Sequence, residues 1–346
     1  MLRRIITTVS MLALLATTVA AAPSNPVQKP ASEKLCALPT ESLEAAGAQY
    51  PESAAAINVV KNHAIATWYT DRMTRQKNQD IIRNITTHCD KESRMTLVVY
   101  GLPNKDCDAG YSSDGLNKNA SDYKQWLQTI VSGVGQRKIL YVLEPDAVGL
   151  LAKGGCAVKA GYEANVKMAL EVLTKNPNAD VYLDVGYWTL LSATEASGVA
   201  ATVKKLANAG RLKGITLNTS NYRPNKQIAE LCTNFQTAYG DTSLHCIVDT
   251  SRNYNDSPPS REWCNSRFGG VGRPPTTNTG FANLDYFIWI KPAGESDGAC
   301  DGADHTSDSM VGPDAGVFFN DLFVELWNNG YYVKELKHPV ITPMYI

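Results

Sequence analysis

Residues 139–146 read ILYVLEPD. Five apolar residues without polar alternation run into two carboxylates around a proline. A strand that is apolar on both faces belongs to a sheet covered on both sides, the usual condition of parallel sheets flanked by helices. Pro145 offers no N–H to a ladder, so strand pairing stops there. The stretch therefore reads as a buried wall strand that delivers Glu144 and Asp146 to an edge.

The same pattern recurs along the chain at 64–69, 95–101, 180–184, 214–218, 245–249 and 285–291, with a weaker run at 339–342. Between the runs lie amphipathic helical patterns, including 121–134, 161–175 and 194–209. Strands alternating with helices imply right-handed βαβ units and a parallel α/β sheet. About 310 residues without repeat or linker make one domain of the length of an α/β barrel. Each run ends on chemistry: Trp68, Tyr100 with Asp106 close behind, Glu144 and Asp146, Asp184, Asn218, Asp249, then Lys291, Glu295 and Asp297. In a parallel barrel all strand C-termini share one face, which carries the active site. One aspartate there is equally well explained as a helix N-cap. Five strands in succession are not.

The remaining features narrow the class. Residues 1–22 have a basic start, an apolar stretch and small residues at 20–22, the pattern of a secretory signal peptide. Residues 23–35 form a short polar tail, and 36–346 the single domain. A net charge of −1 argues against nucleic acid or a membrane surface as partner and suits a neutral ligand. Eight cysteines, an even number, point to disulfides in a secreted, extracellular protein, and none forms a CxxC pair. Sequons stand at Asn84, Asn119, Asn218 and Asn255. The five histidines lack HxxxH or HxH spacing, and no GxSxG, GxxxxGK[ST] or GxGxxG motif follows a strand. No metal or cofactor is expected. Glycoside hydrolysis needs two carboxyl groups across the scissile bond and surfaces for sugar rings, and the sequence supplies both.

The blocks VVYGLPNKDC (98–107), YVLEPD (141–146), YLDVG (182–186), GITLNTSNYR (214–223), IVDTSRN (247–253), EWCN (262–265), PPTTNTG (274–280) and WIKPAGESDGAC (289–300) resemble, in order, those of glycoside hydrolase family 6, the inverting cellulases. The resemblance implies a distorted (β/α) barrel of about seven parallel strands that cleaves β-1,4-glucan. It makes Asp146 the general acid and Asp106 the partner whose like charge keeps Asp146 protonated. Tyr100 lies under the distorted sugar, Ser112 positions the attacking water, and Asp184 shapes the electrostatics. Asp297 marks the candidate base region, with a water relay from Asp106 as the alternative. Trp68 and Trp263 stack on sugars, and Lys291, Glu295, Asn218 and Trp188 join them at the substrate. Trp126 and Trp327, in helical patterns, read as core. By the same resemblance Cys107 pairs with Cys156 and Cys264 with Cys300. Cys36–Cys89 and Cys232–Cys246 are what remains.

The match departs after YLDVG, where Tyr187 and Trp188 replace the family's histidine and displaced tryptophan. Only nine residues separate Asp146 from Cys156, and 18 separate Asp297 from a helix expected near Gly316. Short loops imply an open cleft and internal cleavage by a monomeric endoglucanase. A processive cellobiohydrolase and a non-catalytic glucan-binding protein are the alternatives.

Overall fold

A computed structural model describes residues 33–256, 262–302 and 305–342. The expected signal peptide and most of the polar tail lie outside the described residues. Among the described residues eight strands form one parallel sheet: β1 (Leu35–Cys36), β2 (Thr67–Thr70), β3 (Arg94–Tyr100), β4 (Ile139–Leu143), β5 (Ala179–Asp184), β6 (Gly214–Leu217), β7 (His245–Asp249) and β8 (Leu284–Ile288). The wall runs β2 to β8 in sequence order, with every neighbouring pair parallel. It curls until Ala66 N–H meets the Trp289 carbonyl at 2.8 Å, an isolated parallel bridge that joins the first strand to the chain after the last. These seven strands are those expected from the sequence. The two-residue β1 pairs with the start of β3, Leu35 opposite Arg94.

The unbroken hydrophobicity of β4 has a direct explanation in its register. Leu140 and Val142 point into the barrel with Val98, Tyr182, Ile247 and Ile288. Ile139, Tyr141 and Leu143 point outward against the helices. Both faces are dry, so neither can be polar. The helix Ala120–Val134 shows the outer layer: Asn119 caps it by accepting from the N–H groups of Ser121 and Asp122, and Tyr123, Trp126, Leu127, Ile130 and Val134 form its buried stripe. Trp126 and Trp327 are core residues, as expected.

Three boundaries differ from the sequence reading. Glu33 and Leu35, assigned to the tail, belong to the fold: Glu33 accepts from Arg94 Nε at 2.6 Å and from the Tyr286 hydroxyl at 2.7 Å. The weak run at 339–342 is no strand, because side chains of the helix Asn320–Asn328 take its backbone groups: Trp327 Nε1 donates to the Pro339 carbonyl, and the Asn328 amide bonds Ile341 in both directions. That helix starts at Asn320, not near Gly316; Phe318 bridges Glu295 and Phe319 is extended. Four disulfides are present: Cys107–Cys156 and Cys264–Cys300, as the resemblance implies, and Cys36–Cys89 and Cys232–Cys246, whose pairing the sequence left open. Among the described residues no helix is long and apolar enough to cross a membrane.

Candidate active site

A cleft of about 720 Å³ opens at the C-terminal ends of the strands. Trp68, Tyr100, Asp106, Ser112, Asp146, Trp263, Lys291, Glu295 and Asp297 all line it. β4 makes its last ladder bond from Glu144 N–H to the Val99 carbonyl, and both Glu144 and Asp146 then adopt left-handed backbone, φ 50° and 64°. Such conformations are uncommon for residues with a side chain and persist only where the surroundings enforce them. Here the turn sends the two carboxylates in different directions. Asp146 stands at the N-terminus of the helix Ala147–Lys153 but makes no side-chain cap bond, so capping does not account for it. Its backbone N–H instead donates to Asp184 at 3.0 Å. Burial pushes the Asp146 carboxyl up to about 8, reinforced first by Asp184 and then by Asp106. The like charge of Asp106 thus contributes, but it is not the leading cause.

Asp106 follows β3 in a left-handed turn of its own, φ 53°, and accepts from Ser112 N–H at 2.6 Å. Burial raises its pKa, opposed by hydrogen bonds from Ser112 and Gly110. Asp297 shows the opposite balance. Burial pushes it up, but the charges of Arg252 and Lys291 outweigh that and hold it below the usual carboxylate range. Arg252 Nη1 lies 2.7 Å from one oxygen and Lys291 Nζ 3.4 Å from the other. Glu295 accepts from Ser42 Oγ at 2.7 Å. Tyr100 meets Trp68 edge-to-face at 5.7 Å, and Trp68 Nε1 donates to the Ile290 carbonyl at 2.8 Å, which leaves the indole bordering the cleft. Trp263 lies between Tyr111 and His305, at 6.2 and 5.4 Å.

Two expected substrate residues do not reach the cleft. Asn218 is buried, and its amide donates to the carbonyls of Arg223 and Asp249 while accepting from Arg223 N–H; Thr219, Ser220 and Asn221 line the cleft in its place. Its sequon is correspondingly inaccessible in the folded chain. Trp188 packs against the helix that follows Asp146. A Cβ on Gly149 or Gly186 would come within 2.6 Å of its ring, and Lys153 Nζ lies 4.0 Å from the ring centroid. Tyr187, in the family's histidine position, receives a hydrogen bond from Arg223 at 2.9 Å.

Buried groups hold these loops; the sequence reading placed Glu144, Asp184 and Asp249 at strand ends, with an electrostatic role for Asp184, but not the bonds they accept. Glu144 accepts from Gly101 and Leu102 N–H and from the Tyr123 hydroxyl, which fixes the base of the loop bearing Asp106. Asp184 accepts from Asp146 and Gly186 N–H and from Thr219 Oγ1. Asp249 accepts from the N–H groups of Ser220, Ser251, Ile290 and Lys291, knitting the ends of β6, β7 and β8 together. Arg252, inside the quoted block IVDTSRN, was visible as a charge beside a strand end. Its partner stands 45 residues away.

A parallel barrel with a carboxylate-lined, aromatic-flanked cleft at its strand C-termini defines an α/β barrel of the hydrolase type. The pattern of the Glycosyl hydrolases family 6 matches residues 32–330, and the chain belongs to that family. Endoglucanase 1 of Streptomyces sp. (strain KSM-9) is 34% identical over 249 residues, 68% of this chain and 64% of that protein. Endoglucanase A of Cellulomonas fimi is 33% identical over 235 residues, 67% of this chain and 46% of that protein. Endoglucanase A of Thermobispora bispora is likewise 33% identical, with 43% of its length matched, so the chain spans less than half of these two relatives. The probable exoglucanase GH6D of Podospora anserina is 28% identical over 312 residues, 81% of this chain and 71% of that protein. Among solved structures, the endoglucanase Cel6 of Mycobacterium tuberculosis, in complex with a methyl-cellobiosyl thio-cellobioside, superposes with a TM-score of 0.73 at 27% identity, covering 86% of this chain and 97% of that one.

Proposed function

We propose that this chain is a secreted glycosidase that hydrolyses internal β-1,4-glucosidic bonds of cellulose or β-glucan with inversion at the anomeric carbon. The observation that carries the reading is Asp146: a carboxyl pushed up to about 8, free of any capping bond and facing a cleft bordered by two tryptophans. An acid that keeps its proton at neutral pH can give it to the leaving glycosidic oxygen. Trp68 and Trp263 offer flat apolar faces to pyranose rings, and Tyr100 and Ser112 border the same space. For the base, the two cations on Asp297 keep it ionised but make it a weak proton acceptor. Asp106, whose pKa is raised and whose carboxylate is bonded to the Ser112 backbone, is the better acceptor for a proton relayed through water. The endoglucanase names of several relatives and the short loops support internal cleavage. Four disulfides support secretion.

Asp146→Asn tests the reading. It should lower the rate on a soluble β-glucan on the order of 10²–10⁴ while oligosaccharide binding persists; an unchanged rate removes Asp146 as the acid. Fresh product followed by NMR should be the α-anomer, and a β-anomer contradicts inversion. One contact favours attack from chain ends as the second reading. Tyr111, on the loop after β3, reaches His305 on the loop after β8, Oη to Nε2 at 3.3 Å, which narrows the cleft between them.

A further inference from the structure

We propose that Asp71, acting through Lys105, is a positioning residue that holds the loop 101–117, and with it Asp106 and Ser112, in register with Asp146. The inference rests on the glycosidase reading above. Asp71 directly follows β2, is 1% exposed and does not line the cleft. Its backbone N–H donates to the Tyr100 carbonyl at 3.4 Å, and its carbonyl accepts from Leu116 N–H at 2.9 Å. One carboxylate oxygen accepts from Asn117 N–H at 2.9 Å, and the other lies 2.7 Å from Lys105 Nζ. One side chain thereby grips the end of the loop and its middle. A Cβ on Gly115 would come within 2.1 Å of this carboxylate, so the chain passes Asp71 as closely as backbone allows.

Lys105 is equally buried, 2% exposed, and its ammonium also donates to the Asp114 carbonyl. It stands between Asn104 and Asp106, both in left-handed backbone at φ 58° and 53°. Two such residues flanking one lysine form a turn that persists only if its surroundings fix it. The Lys105 side chain does so by crossing the loop to Asp71 and Asp114. Neither member of the pair touches substrate space, so its effect on the reaction passes through Asp106 and Ser112.

The pair is also an electrostatic element. Lys105 favours the charged form of Asp106, and Asp71 disfavours the charged form of Glu144. Around the pair stand Arg72, bridged to Asp114 at 2.8 Å, the Tyr100 ring 5.6 Å from the ammonium, Tyr123 and Glu144. Paired, Asp71 and Lys105 cancel; unpaired, either becomes a buried charge beside Asp106 and Glu144, in the loop that faces the acid.

Steady-state kinetics against pH on a soluble cello-oligosaccharide tests this with Asp71→Asn, Lys105→Met, the double variant and Lys105→Arg, thermal melts confirming the fold. Each single variant should lower kcat about 10- to 100-fold, the scale of a misplaced group, with KM within about twofold because ground-state binding is untouched. The alkaline limb should move down in Asp71→Asn, where an unpaired cation favours carboxylate, and up in Lys105→Met, where an unpaired anion opposes it. The double variant should return the limb to the wild-type position while kcat stays low, and Lys105→Arg should keep kcat. Limbs that move together, or folded variants at wild-type kcat, overturn the proposal. If a single variant does not fold, the double variant decides: wild-type kcat there overturns it. A wild-type protein without activity instead removes the glycosidase reading.

Discussion

Glu144 and Asp146 are two residues apart, and burial pushes both up to about 8. Their roles differ because their partners differ. Glu144 is closed in by Gly101, Leu102 and Tyr123, while Asp146 gives only its backbone N–H to Asp184 and leaves its carboxyl to the cleft. Two pH effects follow. The proposed acid works only with its proton, so the rate should fall as pH rises through about 8, and Asp146→Asn should abolish that limb of the profile. For stability, a carboxyl whose folded pKa exceeds its unfolded value binds its proton more tightly when folded. Its contribution is complete below about 4 and is lost as pH rises to about 8. Asp146→Asn should therefore raise the melting temperature by a few °C at pH 8 and leave it unchanged at pH 4; equal shifts at both values contradict the raised pKa. Most cleft residues were legible because they stand at or beyond strand ends in recognisable blocks; Trp68, within β2, and Ser112 lie outside those blocks. The roles of Glu144, Asp249 and Arg252 were not legible, because they depend on partners 21 to 45 residues away.

At the level of elements, loops carry the candidate residues and covalent links restrain the loops. Cys107–Cys156 joins the residue after Asp106 to the segment just beyond the helix that Asp146 begins. Cys232–Cys246 lies at the far end of the barrel, joining the helix Asn225–Tyr239 to the start of β7. By chain entropy the two bridges, 49 and 14 residues apart in sequence, are worth about 4 and about 3 kcal/mol. Replacing either pair by serine should therefore cost comparable stability in denaturant titrations. Only loss of Cys107–Cys156 should also lower kcat at temperatures where both variants are folded, and equal kcat in the two would show that the bridge does not position the loop. The wall strands were legible from unbroken apolar runs. Their ends were less so: the run 285–291 leaves the ladder after Ile288 because the Asp249 carboxylate takes the N–H groups of Ile290 and Lys291. β1 is two residues long and carries no period, so nothing in the sequence announced it.

For the whole molecule the open question is how a polymer enters the site. Loop lengths predict an open cleft, and the structure adds a contact that those lengths do not reveal. Tyr111 packs against Gly298, where a Cβ would lie 2.9 Å from its ring, and its hydroxyl meets His305, which in turn contacts Glu262 at 3.2 Å. The loops after β3 and β8 thus touch, although β2 lies between their strands in the barrel wall. If that contact opens readily, a glucan can settle into the cleft anywhere along its length; if it stays closed, the chain must thread from an end. The Tyr111–His305 hydrogen bond contributes about 1 kcal/mol net, and the ring packing beside it is a surface contact that a long substrate laid along the cleft can displace. The wild-type protein should therefore lower the viscosity of a soluble β-glucan well before reducing ends accumulate. Tyr111→Ala should steepen viscosity loss per reducing end further and reduce the release of short products. A wild-type protein that liberates reducing ends without early loss of viscosity would show that the loops remain joined and that the chain works from ends, and in that case Tyr111→Ala should convert it to internal cutting.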